Sequence, residues 1–299
     1  MRRFLTLCLL GFLVAGAASA DVIYTKKSLY RNIIVTEGRS EICMSFVLHD
    51  RYSNEIQSCM DKQDHRRLVF AYTKMVFAGL MVDPRPERIL VIGLGGGSIP
   101  RVFEALYPEA HLDVVELDPA VVDVARRFFD YRPGKNTRIV TRDGRVFVKH
   151  ALLDDKARYD YIVLDAFNGD YIPEHLMTKE FLTECKRLLT DDGVLVANTF
   201  STSKLYDSES ATYQAAFGWF VNVSERVGNR IILTGRHRPV DKAALATGLK
   251  ALDSERLGGF GIDPQNDWLA RVDATPEWDP DARVLTDQYA PVNLLNGPH

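Results

Sequence analysis

The residues best suited to chemistry begin with a set of closely spaced glycines. An apolar run, residues 89–92, leads into Gly93, Gly95 and Gly97, and residues 99–107 then carry apolar side chains at helical spacing. Glycines permit positive φ and let the backbone approach a ligand, while the following helix N-terminus offers unpaired N–H groups. This strand, turn and helix unit favours a nucleotide or nucleoside site, with a ligand-free tight turn as the alternative.

An acidic residue follows the next predicted strand. The apolar run 112–115 ends on Glu116, and Asp118 stands two residues further on. A carboxylate at such a strand tip can accept hydrogen bonds from both ribose hydroxyls. A dinucleotide fingerprint would place a third glycine where this chain has Ser98. The spacing therefore favours a nucleoside without pyrophosphate, of which S-adenosylmethionine and its relatives are the commonest.

More polar residues follow the third and fourth predicted strands. Asp143 and Gly144 can accept a hydrogen bond from an adenine amino group and leave room for its ring, although a plain turn is the alternative. The apolar run 161–164 ends on Asp165, and Asp170 follows. Ligands of parallel sheets bind at the carboxyl ends of the strands. Two carboxylates with aromatic neighbours there suit a cationic group.

The elements that position these residues predict an α/β protein. Its fold is expected to be Rossmann-like, of the S-adenosylmethionine-dependent transferase type, with seven strands and a small N-terminal antiparallel β region. The predicted early elements are strands at 30–35, 42–48 and 55–60 and a helix at 66–82. Later we expect a turn at 191–193, a terminal hairpin around 228–229 and a surface loop at 258–281.

The predicted organisation has three parts: a signal peptide at 1–20, the β region with its linking helix at 21–83, and a nucleoside-binding catalytic domain at 84–299. Arg2 and Arg3 precede a short apolar run, and small residues end at Ala20, the expected cleavage site. The run is too short to span a bilayer comfortably, so no stable membrane span is expected after cleavage. Export, most simply to the periplasm, is the expectation.

Charge and cysteine content agree with an exported protein that does not bind nucleic acid. Loss of the two leader arginines leaves 35 Lys and Arg against 40 Asp and Glu, with no basic patch. Cys43 and Cys59 are symmetric about a predicted hairpin turn and could form a disulfide, as export would permit, or could be placed there by chance. Cys185 has apolar neighbours and is expected to be a buried thiol.

Residues 72–198 resemble the polyamine aminopropyltransferases, the spermidine synthase family, and especially its bacterial spermidine synthase-like branch. The motifs that carry the resemblance are LVIGLGGGSIP at 90–100, VVELDP at 114–119, TRDGR at 141–145, YDYIVLDAF at 159–167, LLTDDGVLVAN at 188–198 and LTDQYAPV at 285–292. The order of a β region before a Rossmann-like domain is also that of the family.

The resemblance implies aminopropyl transfer from decarboxylated S-adenosylmethionine to a polyamine such as putrescine, without a metal. Asp165 would orient and deprotonate the attacking amine. Tyr72 would lie near that amine, and Asp170 could hold the far ammonium of a diamine. The implied nucleoside-binding residues are Gln57, Gly93, Gly95, Gly97, Glu116, Asp118, Asp143 and Gly144. Family members commonly form homodimers, which makes a homodimer an expectation here.

Three stretches depart from the family pattern. The aspartate of the family's G-G-G-D-G loop, which contacts the donor's aminopropyl ammonium, is replaced by Gly96. Its Tyr-His-Glu is Tyr72-Thr73-Lys74, and its D-x-x-D ends in Asn168. Each change moves the site away from a dication. An S-adenosylmethionine-dependent methyltransferase, with the Gly96 N–H on the methionine carboxylate, therefore stays open, as does a non-catalytic exported protein that binds a nucleoside or polyamine.

Overall fold

The structure is a computed structural model, and it describes residues 20–47, 55–154, 157–166, 172–225, 228–236 and 241–290. The strands are β1 (Asp21–Lys27), β2 (Asn32–Glu37), β3 (Glu41–Val47), β4 (Glu55–Asp61), β5 (Arg88–Ile92), β6 (His111–Glu116), β7 (Thr137–Thr141), β8 (Tyr159–Leu164), β9 (Leu189–Phe200), β10 (Val221–Ser224), β11 (Asn229–Gly235) and β12 (Val272–Asp273). The α-helices are α1 (Ala71–Met75), α2 (Ser98–Leu106), α3 (Pro119–Phe128), α4 (Gly144–Ala151), α5 (Lys179–Leu188), α6 (Tyr206–Phe217), α7 (Lys242–Leu249) and α8 (Ser254–Gly258).

The larger sheet has the strand order β12-β10-β11-β9-β8-β5-β6-β7. Strands β5 to β9 run parallel, whereas β10, β11 and β12 are antiparallel to their neighbours. Its central strands are apolar on both faces, and each face packs under helices in a separate core. The predicted Rossmann-like α/β fold is confirmed, with an eighth short strand, β12, added at the edge.

The smaller sheet is antiparallel in the order β1-β2-β3-β4. Its inner face packs against α3, where Ile33 and Met44 meet Val121 and Val124 in a separate apolar cluster. This packing holds β4 beside the carboxyl edge of the larger sheet. Strand β1 was not predicted, because it is an exposed edge strand whose residues do not alternate between core and solvent.

The predicted helix at 66–82 is wrong in its type and length. Helix α1 covers only Ala71–Met75, and a 3₁₀ helix continues over Val76–Met81, all of whose residues are buried. The carbonyl of Val76 accepts a hydrogen bond from the buried Tyr161 hydroxyl. A Cβ on Gly79 would lie 2.5 Å from the hydroxyl oxygen of Tyr161. Contact with the sheet therefore tightens the segment, a cause that helical spacing alone does not reveal.

Two further predictions about loops are corrected. The turn at 191–193 lies inside β9 as a large bulge, because Tyr159 pairs with Leu189 while Tyr161 already pairs with Val194. The predicted surface loop at 258–281 contains Trp268, which is fully buried and donates from Nε1 to the Lys74 carbonyl at 2.7 Å. One aromatic side chain thus anchors a polar stretch beneath the sheet.

The structure decides between the two alternatives for Cys43 and Cys59, and it confirms Cys185 as a buried thiol. Cys43 and Cys59 face each other across β3 and β4 and form a disulfide, with a Cα–Cα distance of 4.1 Å. Cys185 is a buried free thiol on α5, and burial raises its pKa. Among the helices of the described ranges, none combines the length and the apolar character that a membrane crossing needs.

Candidate active site

One cleft lies at the carboxyl ends of β5, β6, β7 and β8, with β4 along one side. It encloses about 860 Å³ when the solvent-filled space at its open mouth is included. The residues predicted from the sequence that line it are Gln57, Tyr72, Gly93, Gly95, Glu116, Asp143, Gly144 and Asp165. Gly97 and Asp118 do not line the cleft, and the predicted Asp170 falls outside the described residues.

The glycine turn brings two strand ends together. Gly93 has φ 108°, and its N–H donates to the carbonyl of Val115 at 2.8 Å. A Cβ at Gly93 would lie 2.2 Å from the carbonyl oxygen of Asp165, so only glycine allows the end of β8 to approach this closely. Gly97 instead precedes α2 with φ 81° and packs against Tyr131, and its role is to shape the turn.

Glu116 lies buried at the end of β6 and opens into the cleft. Its two carboxylate oxygens accept hydrogen bonds from the backbone N–H groups of Leu94 at 3.1 Å and Asp118 at 2.9 Å. Burial raises the pKa of Glu116, and these N–H groups together with Arg31 oppose that rise. Each oxygen keeps a further acceptor site, so the carboxylate is suited to receive a vicinal diol.

Asp118, which the resemblance implied as a nucleoside-binding residue, lies outside the set of residues that line the cleft. It is almost fully buried, caps α3 by accepting the Ala120 N–H at 2.9 Å, and accepts the Ser28 hydroxyl at 2.5 Å. The Ser28 hydroxyl oxygen also accepts the backbone N–H of Arg31 and so stabilises the turn between the two residues. Asp118 therefore links Ser28, just after β1, to the start of α3.

Asp143 and Gly144 line the cleft at the start of α4. One Asp143 oxygen accepts the Val146 N–H at 2.9 Å as the helix cap, and the other lies 2.7 Å from His175 Nε2. His175 lowers the pKa of Asp143. Both oxygens are thus engaged within the chain, and His175 stands beside them as a cleft-lining imidazole. The sequence held no spacing signal for His175.

Asp165 stands at the end of β8 on the cleft floor. Its Oδ1 accepts a hydrogen bond from Asn198 Nδ2 at 2.9 Å. Burial raises the pKa of Asp165 to about 7, with Glu116 adding to the rise and the Asn198 hydrogen bond opposing it. Tyr72 also lines the cleft, and burial followed by the charge of Asp165 raises its pKa well above the ordinary value. Tyr72 is thus a neutral phenol, and Asp165 is a carboxyl group with a pKa near neutrality.

Gly96 is enclosed by the N-terminal sheet. Its N–H donates to Ser58 Oγ at 3.1 Å, so this N–H is engaged and not offered to a ligand as we expected for a methyltransferase. A Cβ on Gly96 would lie 2.6 Å from Phe129 Cδ1 and 2.7 Å from Ser58 Oγ. Phe129 and Ser58 therefore already fill the space that the Cβ of any other residue at this position would need.

The N-terminal sheet also supplies residues that the sequence did not single out. The Arg31 guanidinium lies 4.2 Å from the centre of the Phe46 ring, and both residues line the cleft with Ser58. Arg142 lines it from the end of β7. These residues come from distant parts of the chain, and no local pattern connects them.

Fold and cleft define the class: a Rossmann-like transferase fold of the S-adenosylmethionine-dependent type, with its ligand cleft at the carboxyl edge of a parallel sheet. The family model for the spermine/spermidine synthase domain matches residues 69–218. A polyamine aminopropyltransferase of Vibrio vulnificus is 49% identical over 280 residues, which is 92% of each chain. The chain therefore belongs to the spermine/spermidine synthase family, a family of transferases.

Solved structures agree on the fold. A probable spermidine synthase from Corynebacterium glutamicum superposes with a TM-score of 0.66 at 21% identity, covering 89% of this chain and 97% of that one. Human methyltransferase-like protein 13, solved in complex with SAH, gives a TM-score of 0.56 at 26% identity, covering 71% and 96%. The same sheet thus serves both a spermidine synthase-type protein and a methyltransferase.

Proposed function

We propose that this protein transfers an aminopropyl group from decarboxylated S-adenosylmethionine to a polyamine such as putrescine. The observation that carries the proposal is the placement of Glu116 and Asp165 in one cleft, at the ends of strands on either side of β5. One carboxylate suits a ribose and the other suits an amine. Family membership supports the same reaction.

In this proposal the donor's nucleoside lies across the ends of β5, β6 and β7. Glu116 accepts the ribose hydroxyls, and the glycine turn lets the sugar approach the backbone. The adenine lies toward Gly144 and the Asp143–His175 pair, whose Nε2–Oδ2 distance is 2.7 Å. Gln57 reaches the nucleoside from β4.

The reaction forms a bond from the amine nitrogen to the carbon beside the sulfonium, and the carbon–sulfur bond breaks. Methylthioadenosine leaves as a neutral thioether, and the amine must lose a proton. An aliphatic amine has a pKa of about 10.4 and is almost fully protonated at neutral pH. Asp165, with its pKa raised to about 7, accepts a proton more readily than an ordinary aspartate. Tyr72 beside it orients the amine, and Asp170 remains a proposal for the far ammonium.

Methyl transfer is a second candidate, because position 96 supplies no carboxylate to the donor. Ser58 and Phe129 occupy the space where a glycine-loop carboxylate would begin, so no side chain from position 96 meets an ammonium on the donor. Discrimination against the carboxylated donor is weaker without such a group. Other groups in the cleft, among them Arg31 and Asp165, then have to recognise the charge of the donor.

One experiment separates these reactions. Residues 21–299 are incubated with putrescine and either decarboxylated or ordinary S-adenosylmethionine, and products are identified by mass spectrometry. Spermidine with methylthioadenosine is expected, and Asp165→Asn should abolish it. S-adenosylhomocysteine would replace the proposal with methyl transfer. Nucleoside binding without either product would replace it with a non-catalytic binding protein.

We also propose that the chain is exported, with cleavage after Ala20, and acts in the periplasm as a homodimer that does not bind nucleic acid. The leader composition and the Cys43–Cys59 disulfide support export, because such bonds persist in oxidising compartments. N-terminal sequencing of protein from a periplasmic extract should begin at Asp21. Light scattering of the purified protein tests the dimer.

A further inference from the structure

Two asparagines behind the cleft form a chain of hydrogen bonds that ends on Asp165. Asn229 Nδ2 donates to Asn198 Oδ1 at 2.9 Å, and Asn198 Nδ2 donates to Asp165 Oδ1 at 2.9 Å. Asn198 is 2% exposed on β9, and Asn229 begins the neighbouring antiparallel strand β11. Asn229 itself does not line the cleft. These two hydrogen bonds thus connect Asn229, which lies outside the site, to Asp165, the proposed proton acceptor.

The direction of these hydrogen bonds matters because an amide has one donor end and one acceptor end, whereas an ionised carboxylate only accepts. The terminal torsion of asparagine is roughly two-fold, so two amide orientations are available. By donating to Asn198 Oδ1, Asn229 selects the orientation in which the Asn198 NH₂ faces Asp165. In the opposite orientation an oxygen would face the carboxylate, which is compatible only with protonated Asp165.

We propose that Asn229 and Asn198 are positioning residues for the transfer reaction, and that together they keep Asp165 ionised and its Oδ2 directed to the acceptor amine. This inference rests on the proposed function of Asp165 as proton acceptor. Among the described residues, no hydrogen bond reaches Asp165 Oδ2, which leaves that oxygen for the substrate. Neither asparagine touches the reacting atoms.

The groups around Asp165 explain why this hydrogen bond counts. Burial and Glu116, at the end of β6, raise the pKa of Asp165, and the Asn198 hydrogen bond is the cause that lowers it. Tyr72 on α1 lines the same cleft and interacts electrostatically with Asp165. Among the described residues, the other charged or titratable groups are Arg31, Arg142, Asp143 and His175 in the cleft and, behind β9, the Arg230–Glu209 ion pair. Loss of the Asn198 donor is therefore expected to shift the carboxyl toward its protonated form.

The test measures the titration of Asp165 directly, by carboxyl ¹³C NMR of the free protein, alongside the pH profile of turnover. In wild type the midpoint is expected near 7. Asn198→Leu adds no charge and should raise it by at least one pH unit. Asn229→Ala should raise it by less, and Asn229→Asp, which can only accept, by at least as much as Asn198→Leu. For Asn198→Leu the acidic limb of kcat/KM for the amine should move in parallel, with kcat at pH 7 falling about fivefold or more and KM for the donor unchanged.

Asn222→Ala is the matched control, since Asn222 is a buried asparagine on β10 that bonds Tyr206 and not Asp165. It should lower the melting temperature without moving the Asp165 midpoint. An unchanged midpoint in Asn198→Leu and Asn229→Ala would overturn the inference. If wild type makes no spermidine, the proposed function fails, whereas the NMR midpoints still decide the role of the asparagines. Asn229 is only half-buried, so its variants test the inference even if Asn198→Leu does not fold.

Discussion

Ser58 on β4 accepts a hydrogen bond from the backbone N–H of Gly96 at 3.1 Å. This contact ties the N-terminal sheet to the glycine turn of the Rossmann-like domain. It places the neighbouring Gln57 in the cleft and fills the space beside Gly96. The sheet that the sequence marks only as a small β region is therefore part of the site.

Gly96→Asp is expected to destabilise the protein. Its Cβ would lie 2.6 Å from Phe129 Cδ1 and 2.7 Å from Ser58 Oγ, and Phe129 is fully buried. Crowding of this kind costs about 1–3 kcal/mol of unfolding free energy. Urea denaturation measures the loss. Gly258→Asp, where nothing lies within 4 Å of the added Cβ, should change stability by less than about 1 kcal/mol. Equal stability of Gly96→Asp and wild type would contradict the packing described.

Glu116→Gln should weaken binding of methylthioadenosine at least tenfold, or about 1.4 kcal/mol, because a charged acceptor for the ribose is lost. Calorimetric titration gives the affinity. Gln retains the size of Glu116 and one of its two acceptor oxygens, whereas alanine retains neither, so the turn around Leu94 should be disturbed less than by alanine. Glu109→Gln, at a side chain 80% exposed, is the control and should bind as wild type. Unchanged affinity in Glu116→Gln would place the ribose elsewhere.

Asp165→Asn should lower kcat by about 10²–10⁴-fold, the usual worth of a general base, and leave nucleoside affinity within about twofold. Single-turnover assays separate the two effects. In wild type, kcat/KM for the amine should fall as the pH drops below about 7, because the carboxyl is then protonated. A variant with wild-type kcat would remove Asp165 from the reaction.

The raised pKa of Asp165 also predicts a stability effect that needs no substrate. The pKa rises from 3.8 to about 7 in the folded protein, so this carboxyl costs stability progressively as the pH rises from about 4 through 7. Asp165→Asn removes that cost. Its melting temperature relative to wild type should therefore be higher at pH 8 than at pH 5. Asp191→Asn, at a side chain 82% exposed, is the control, and its melting temperature should differ from that of wild type by the same small amount at both pH values. The same result for Asp165→Asn would mean that the Asp165 carboxyl is not buried.

Breaking the disulfide should loosen both the N-terminal sheet and the cleft. The bond spans 16 residues, for which about 3 kcal/mol is expected. Cys59 follows Gln57 and Ser58 on β4, so Cys43→Ala with Cys59→Ala should lower methylthioadenosine affinity as well as the melting temperature. Dithiothreitol should lower the affinity and the melting temperature of wild type in the same way. It should change neither quantity in the double variant. Identical melting with and without the reductant would argue against a bonded pair.

Much of the fold could be predicted because its pattern is local. Apolar runs followed by glycine or acidic residues placed β5, β6 and β8, and helical spacing placed α2. Strand β1 and the 3₁₀ segment Val76–Met81 were missed because an exposed edge and a sheet contact decide them. Trp268 was hidden in a polar stretch for the same reason, since only the assembled core shows where its ring packs.

The sequence by itself determined the strand, glycine turn and helix unit and the carboxylates Glu116 and Asp165, because the carboxyl ends of neighbouring parallel strands must meet at one edge. Tertiary structure alone decided which acidic residues line the cleft. Asp118 is taken up by Ser28 and a helix cap. His175 joins Asp143 across 32 positions, and Asn229 joins Asn198 across 31. Contacts between residues so far apart depend on how the strands and loops pack, and no short stretch of sequence encodes them.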